Sequence, residues 1–579
     1  MTDFPLRVSL TRLLLRLGGG PQLSAIVRAS KDIRGAQRAC LRGITVAHAA
    51  TAYGREHGFS SIRTIDDYRR AVPVNTYENL RPYIDRMRRG EADVLIPGKP
   101  LMYTTTSGTT DKPKFIPVSG HEFKTVHTRL SRVWFYTTMR DNPGIYRGLN
   151  LSMVGAAEEG TTEDGTPYGA LSGLSYRNIP AILKTLYSVP YSLICIKDPA
   201  RKYYSMLRFA LARNITYIIA VNPATLREMH RCIVENWDDL LRDINDGTLR
   251  RDAEEALDTN ARAEARSMLS PDPGRALALA ELMRRHDADL RPRHYWPGLS
   301  CINTWKQGNC RVALARLDGY FPESTSIREF GYWASEAKAG IVLENSWEYS
   351  LLAAHVYHFE FIPEEERGSR EPPVLQAHEV EPGRRYYLLF STLSGLYRYD
   401  INDVVEVTGF FNQFPLFRFL YKGEGVTSLC GEKLSEDQIL QAVKESSAET
   451  GLAIEFFTMI CDEARLQYTL FAEFSRHAGF EERDRFIKAV DNRLLRMNPE
   501  WKSKRESRRL GLPQIRELPP DCYARLKRRV IELGLSREGQ YKVCYLRRTP
   551  ESIRLFEELA EKETTPDASP SLSAGGGLS

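Results

Sequence analysis

The stretch Tyr103–Ser119, YTTTSGTTDKPKFIPVS, constrains the fold more than any other. Thr104, Thr105, Thr106 and Ser107 run into Gly108; Thr109 and Thr110 follow, then Lys112, Lys114 and the apolar Phe115-Ile116-Pro117. Backbone N–H groups and hydroxyls around one glycine can wrap phosphate oxygens, with ammonium groups supplying counter-charge. Such a loop works best between rigid elements. The apolar 94-VLIPG-98 before it and the His121–Arg140 segment after it therefore predict the order strand, loop, helix. The common P-loop is excluded, because GxxxxGK[ST] places a glycine before the lysine and here Asp111 precedes Lys112. Taken alone, the stretch reads equally well as a Ser/Thr-rich surface turn.

A chain of 579 residues is too long for one core, so two or more packed units are expected. With 42% hydrophobic and 27% charged residues it has the composition of an ordinary soluble protein. The 80 basic and 74 acidic residues nearly balance, which argues against a nucleic-acid partner. None of the nine cysteines forms a CxxC pair, and Cys301 and Cys310 are too far apart for a tight zinc knuckle. Reduced thiols and a cytoplasmic location follow. Leu13-Leu14-Leu15 is cut by Arg12 and Arg16, and no stretch approaches the ~18 apolar residues of a membrane span, so no membrane partner is expected and the chain reads as a monomer.

Residues 1 to 60 carry helical spacing, and residues 65–89 alternate short helices and turns. Apolar runs at 191-YSLICI-196, 216-TYIIAV-221 and 341-IVLE-344 read as strands among helices, which gives an α/β architecture. Residues 233–294, helical and heavily charged, read as a solvated insert rather than a site. Strands and hairpins occupy 386–411. The glycine-punctuated Lys422–Gly425 is the expected boundary between an N-terminal domain, 1–425, and a smaller, mobile α+β C-terminal domain, 426–550. The latter opens on a serine-capped helix at 435–451, continues with strands near 452–460 and 466–474, and ends in a further helix. The Pro/Ser/Gly-rich tail, 562–579, is expected to be disordered.

Five further features are candidates for chemistry. In 329-EFGYWASEA-337 an aromatic pair, Tyr332 and Trp333, precedes Ser335 and Glu336; an aromatic can stack on a purine and a carboxylate can hold magnesium against phosphates. The same stretch reads also as a buried turn whose glutamate pairs with Lys338. In 395-GLYRYDINDVVEVTGF-410, Asp403 at a strand start can accept both hydroxyls of a ribose, or simply cap a hairpin. Lys433 in 430-CGEKLSED-437 and Lys542 in 539-GQYKVC-544 are lone lysines, usually surface groups. In the helix after the loop, Arg129 and Arg132 are candidate carboxylate anchors.

The ordered set of segments, from 76-TYENLRPYIDRMRRGEADVLIPGKP-100 through the loop, 296-WPGLSCINTWKQG-308, YWASE, 359-FEFIP-363 and GLYRYDINDVVEVTGFFNQFPLFRF to QYKV, resembles the plant auxin-responsive Gretchen Hagen family of acyl-acid amido synthetases, within the adenylate-forming enzymes. The resemblance spans nearly the whole chain, and the arginine-rich, glycine-tailed composition points to a bacterial member. It implies a large adenylation domain with a small mobile one, and a two-step reaction on ATP and Mg2+. A small carboxylic acid becomes an acyl-adenylate, and the amine of an amino acid then displaces AMP. A thiol acceptor, coenzyme A or a carrier protein, is the alternative, as is a nucleotide-binding module without turnover. No enzyme nucleophile is needed, since the adenylate itself supplies the leaving group.

By the same resemblance, Thr106, Ser107 and Thr109 around Gly108 contact phosphates and Glu336 holds magnesium. Tyr332, with Ser335, lies by the adenine, Asp403 binds the ribose, and Lys433 reaches the adenylate from beyond the hinge. Lys542 enters for adenylation and leaves for transfer. Three departures bear on this. YASSE becomes YWASE, so Trp333 reshapes the pocket floor; RVGD becomes Asp400-Ile401-Asn402-Asp403, with Asn402 at a position suited to φ > 0; and the arginine that closes QYKVPR gives way to Cys544-Tyr545. Lys542→Ala is predicted to abolish acid-dependent pyrophosphate release while sparing amide formation from preformed acyl-adenylate. Equal loss of both steps would refute that division of labour.

Overall fold

The computed structural model describes residues 4–106, 114–307, 310–315, 317–423, 426–522, 525, 545–548 and 550–561. Ser107, Gly108, Thr109, Lys542, the boundary residue Gly425 and the 562–579 tail lie outside the described residues.

The architecture is mixed α/β, with a large N-terminal domain and a smaller C-terminal one. The first residues are helical as the spacing predicts: Phe4–Ala29, then Ile33–His48, whose start is fixed by the Asp32 carboxylate accepting from the Gly35 N–H. Ile65–Ala71, begun by a Thr64/Asp67 capping box, and Tyr77–Arg88 follow.

The expected strand at 94–98 is absent. Val94, Leu95 and Ile96 are fully buried, yet they pass through bends. They are held by packing against the central sheet: Tyr397 donates its hydroxyl to the Leu95 carbonyl. Gly395, at φ +85°, approaches so closely that a Cβ there would sit 2.7 Å from the Leu95 Cβ. The loop is instead flanked by two strands, β1 (Met102–Thr106) and β2 (Lys114–Val118), paired antiparallel from Met102↔Val118 to Thr106↔Lys114. The stretch therefore joins two paired strands rather than a strand and a helix. The helical segment starts only at Gly120, where the Ser119 hydroxyl accepts from the Glu122 N–H, and passes through a π turn into Thr128–Asp141.

Two further sheets form the body of the N-terminal domain. Leu149–Met153, Ile215–Ala220, Cys301–Thr304 and Ser326–Glu329 make a four-stranded parallel sheet in that order. The strand expected at 216–221 is in it. The one expected at 191–196 is a short helix, Tyr191–Ile194, starting directly after Pro190; an apolar run of that length suits either state, and proline at its start favours the helix. Of 341–344, only Ile341 is in a strand, Gly340–Ile341. Residues 233–294 are helical but not a solvated insert: Trp237, Leu240, Ile244 and Leu279 bury one face into the core beneath the parallel sheet. The charges that dominate their composition occupy the other face.

The second sheet has seven antiparallel strands, with β3 (Tyr399–Phe411) and β4 (Phe414–Lys422) near its centre. Their two-residue turn uses Asn412 at φ 54°. The N-terminal helices are locked to this sheet by a buried ion pair. Arg398 donates to Glu360 at 2.7 Å and to the Val72 carbonyl at 2.8 Å, and Arg69 adds a second guanidinium at 2.9 Å.

The C-terminal domain has its own core around Trp501, whose indole N–H donates to Asp491. Its first helix, Glu436–Thr450, carries the predicted Ser435 N-cap, which the structure shows in a capping box with Gln438, and stops at Gly451 in the left-handed region. The strands Ile454–Asp462 and Gln467–Phe474 and the helix Phe480–Met497 complete the expected α+β order. Among the described residues no helix is long and apolar enough to cross a membrane, and eight cysteines are free thiols.

Burial pushes the Glu360 carboxyl up, but Arg398, His358 and Arg69 together outweigh it and hold the carboxyl below its ordinary range. Its stabilisation is present at neutral pH and is lost as the pH falls through that lowered pKa. Glu360→Gln is predicted to cost about 3–5 kcal/mol in urea denaturation at pH 7, because two guanidinium groups are left uncompensated. That difference should shrink towards zero in acid.

Candidate active site

A cleft of about 1550 Å3 opens beside the β1–β2 hairpin and takes residues from both domains. Thr104 and Thr105 on β1 line it, as do Tyr332, Trp333, Ser335, Glu336, Asp403, Lys422 and Lys433. The backbone register of the hairpin leads Thr106 and Lys114 to the same end. Thr104 is buried, and its hydroxyl reaches the Ser335 carbonyl at 3.4 Å, which fastens the phosphate-loop strand to the YWASE turn.

The YWASE turn leaves the strand Ser326–Glu329 through Gly331 at φ +103°. The buried Glu329 carboxylate shapes this exit by accepting the N–H of Gly331 at 2.9 Å and of Lys306 at 2.7 Å. Burial raises its pKa to about 7. Beyond the turn, the Tyr332 N–H donates to the Ser350 hydroxyl at 3.1 Å, and its ring packs against Phe417 and Phe419. The Tyr332 hydroxyl donates to Asp403, joining the YWASE turn to the candidate ribose strand.

Asp403 is only 4% exposed and pairs across the sheet with Lys422, whose ammonium contacts its carboxylate and also donates to the Ile401 carbonyl. Asn402 adopts φ 58°, the left-handed conformation expected for it, with its N–H bound to the Asp400 carboxylate at 2.8 Å. That local turn points the next residue, Asp403, inward rather than along the strand.

Glu336 is buried at 6% exposure, and its Oε2 has no partner among the described residues. The alternative pairing with Lys338 is not made: Lys338 donates to the Ser131 hydroxyl at 2.7 Å and lies 4.0 Å over the Trp333 ring. The charges that act on Lys114 at this end of the cleft are Glu336, Lys422, Lys433 and, more weakly, Glu78. Burial lowers the Lys114 pKa to about 8; Glu336 opposes that shift while Lys422 and Lys433 reinforce it. Lys422 is matched by Asp403, while Lys114 and Lys433 face Glu336, an excess of positive charge that a polyanion would complete.

Lys433 belongs to the C-terminal domain and sits at φ 48°. The turn presenting it is built on the buried Glu432 carboxylate, which accepts from the N–H groups of Leu429 and Cys430 and from the Tyr468 hydroxyl. Asn222, at the end of the parallel sheet, donates to the Cys430 carbonyl at 2.8 Å and joins that turn to the N-terminal domain.

The remaining candidates divide. Arg132 is exposed and lines the outer cleft near Gly18 and Gly19. Arg129 is exposed and is not among the residues that line the cleft. Trp333 forms part of the cleft wall with Trp134 at 5.5 Å and Phe330 at 5.0 Å between ring centroids. Sequence reasoning missed Lys422 and Arg548, whose guanidinium stacks 3.7 Å over Tyr421 and donates to the Lys422 carbonyl. Lys422 was visible as the last residue of an alternating strand one pairing step from Asp403, but only the hairpin register makes the two neighbours.

Family models for the GH3 N-terminal, central and C-terminal domains match residues 22–326, 350–422 and 437–551. The chain is 25% identical over 471 residues to indole-3-acetic acid-amido synthetase GH3.6 of Arabidopsis thaliana, covering 76% of this chain and 75% of that one. It is 26% identical over 451 residues to indole-3-acetic acid-amido synthetase GH3.8 of Oryza sativa subsp. indica, covering 74% and 73%. Its fold matches the solved GH3.15 acyl acid amido synthetase with a TM-score of 0.63, at 21% identity over 93% of this chain and 96% of that one. AtGH3.15 acyl acid amido synthetase in complex with 2,4-DB gives 0.61, at 22% identity over 93% and 95%. With all three domain models matched in order along the sequence, the chain belongs to the GH3 family of acyl acid amido synthetases, ligases that use ATP to conjugate acids to amino acids.

Proposed function

We propose that this chain adenylates a small carboxylic acid with ATP and passes the acyl group to the amine of an amino acid, releasing pyrophosphate and then AMP. The observation that carries the reading is the convergence of Tyr332, Ser335, Glu336, Asp403 and Lys433, from three separate stretches of sequence, on one cleft beside the hydroxyl-rich hairpin.

The chemistry follows from charge and alignment. A carboxylate oxygen attacks the α-phosphorus, the bond to the pyrophosphate oxygen breaks, and the acid becomes a mixed anhydride. The amine then attacks the carbonyl carbon and AMP leaves, with the ammonium proton lost to solvent. Neither step needs a protein nucleophile; both need phosphate charge neutralised and reactants held in line. In this reading Thr106, Ser107 and Thr109 around Gly108 hold phosphates, with Lys114 behind them. Asp403 accepts the ribose hydroxyls, Tyr332 and Ser335 border the adenine, and Lys433 faces the α-phosphate.

The donor set fits magnesium: Glu336 offers a buried carboxylate oxygen without a protein partner. Among the described residues no cluster of three or more His, Cys, Asp or Glu side chains is present. One carboxylate is what a magnesium ion shared with nucleotide phosphates and water requires. When bound, the ion would neutralise phosphate charge. The division into an N-terminal domain ending near residue 425 and a C-terminal domain that moves between the two steps belongs to the same proposal, with Lys542 delivered by that motion.

Pyrophosphate exchange across a panel of aryl and alkyl acids, followed by mass spectrometry with mixed amino acids and coenzyme A, tests the function. Acid-dependent exchange and an amide product are expected. ATP binding without exchange for any acid, or a thioester as the sole product, would reject it. Tyr332→Phe removes a hydrogen bond to a charged group, a loss of about 1.5–3 kcal/mol. The expected result is an ATP KM raised about tenfold to a hundredfold with a smaller effect on the KM for the acid.

A further inference from the structure

An ammonium taken out of water is costly unless an opposite charge compensates it. Lys338 is 5% exposed and lines the cleft, yet it has no carboxylate partner among the described residues. Burial is the sole influence on its charge, so neither Glu336, two residues away, nor the Lys114, Lys422 and Lys433 group acts on it appreciably. It therefore marks a second polar spot, separate from the phosphate end. The buried carboxylate of Glu122 accepts from Tyr357 and contacts His127 through Oε1, while its Oε2 is without a partner among the described residues and forms no ion pair with Lys338.

The surroundings of Lys338 are aromatic. Trp333 lies beneath the ammonium, Trp134 and Phe330 pack on Trp333, and Ser131 takes one of its three N–H donors at 2.7 Å. The Trp333 indole N–H is itself buried without a partner. Two sets of unspent donors thus stand together beside the aromatic wall of the cleft.

We propose that Lys338 is a specificity-determining residue that makes this arm select acids bearing a second carboxylate, distal to the one that is activated, with the distal group seated on the Lys338 ammonium and the Trp333 N–H. The inference rests on the synthetase reading for which arm takes the acid. A carboxylate is favoured over a hydroxyl because only a charge compensates the buried ammonium. Its chemical class is accordingly a dicarboxylic acid with an apolar spacer that packs along the aromatic wall to which Trp333 belongs.

The test uses the intact protein and tryptophan fluorescence, since Trp333 and Trp134 border the spot. Straight-chain dicarboxylic acids and monocarboxylic acids of matched length are titrated into the wild type and into Lys338→Met, with thermal unfolding recorded for both. The wild type should bind diacids at least about tenfold more tightly than matched monoacids, and Lys338→Met should abolish or invert that preference at an unfolding midpoint no lower than the wild type's. Equal binding of the two classes, or a preference that survives Lys338→Met, would overturn the assignment. Pyrophosphate exchange with the same acids separates the two readings. Exchange with monoacids alone removes the role of Lys338 and leaves the synthetase standing. A Lys338-dependent diacid preference without exchange for any acid does the reverse.

Discussion

The Asp403 carboxylate is the fixed point of the cleft. It is nearly removed from water, and a charge so placed persists only when its oxygens are matched by close partners. The partners come from two other segments: the Tyr332 hydroxyl from the YWASE turn and the Lys422 ammonium from the last residue of β4. The same contacts that satisfy the carboxylate therefore hold three parts of the wall in register. Asn402 makes this possible, since its left-handed backbone turns the chain so that Asp403 faces inward. Lys422 also stands at the end of the N-terminal sheet, where Arg548 of the C-terminal domain reaches its carbonyl. The fixed point and the junction between domains are thus mechanically continuous.

Around that point the charges are unbalanced on purpose-like terms that chemistry explains. Lys422 and Lys433 add to the burial that disfavours the charge of Lys114, and Glu336 offsets only part of it. A polyanion relieves that repulsion in a way no neutral ligand does. Lys338 obeys different physics. It is isolated from that group and buried against tryptophan, so its demand is for one local anion rather than for a polyphosphate.

Much of the fold was legible because its signals are local. The Ser435 N-cap with Gly451 behind it bounded the first C-terminal helix, and the alternation of β-branched and aromatic residues through 386–411 announced antiparallel strands. The failures were of one kind. Val94-Leu95-Ile96, Tyr191–Ile196 and the helices of 233–294 are segments whose apolar residues reveal burial but not the partner that buries them. A buried run becomes a strand only if another strand lies within hydrogen-bonding reach, and for 94–96 the neighbour is instead the Gly395–Tyr397 backbone and ring.

The sequence by itself determined the family, the ordered candidates Tyr332, Glu336, Asp403 and Lys433, and the backbone role of Asn402, because short-range geometry and residue chemistry travel with the chain. Only the tertiary structure decided that the strands flanking the hydroxyl-rich stretch pair with each other, that Asp403 pairs with Lys422 and Tyr332, and that Glu336 leaves Lys338 alone. Those outcomes depend on sheet register and on which side chains share a desolvated space. Both are fixed by contacts between residues far apart in sequence, where spacing along the chain carries no distance information.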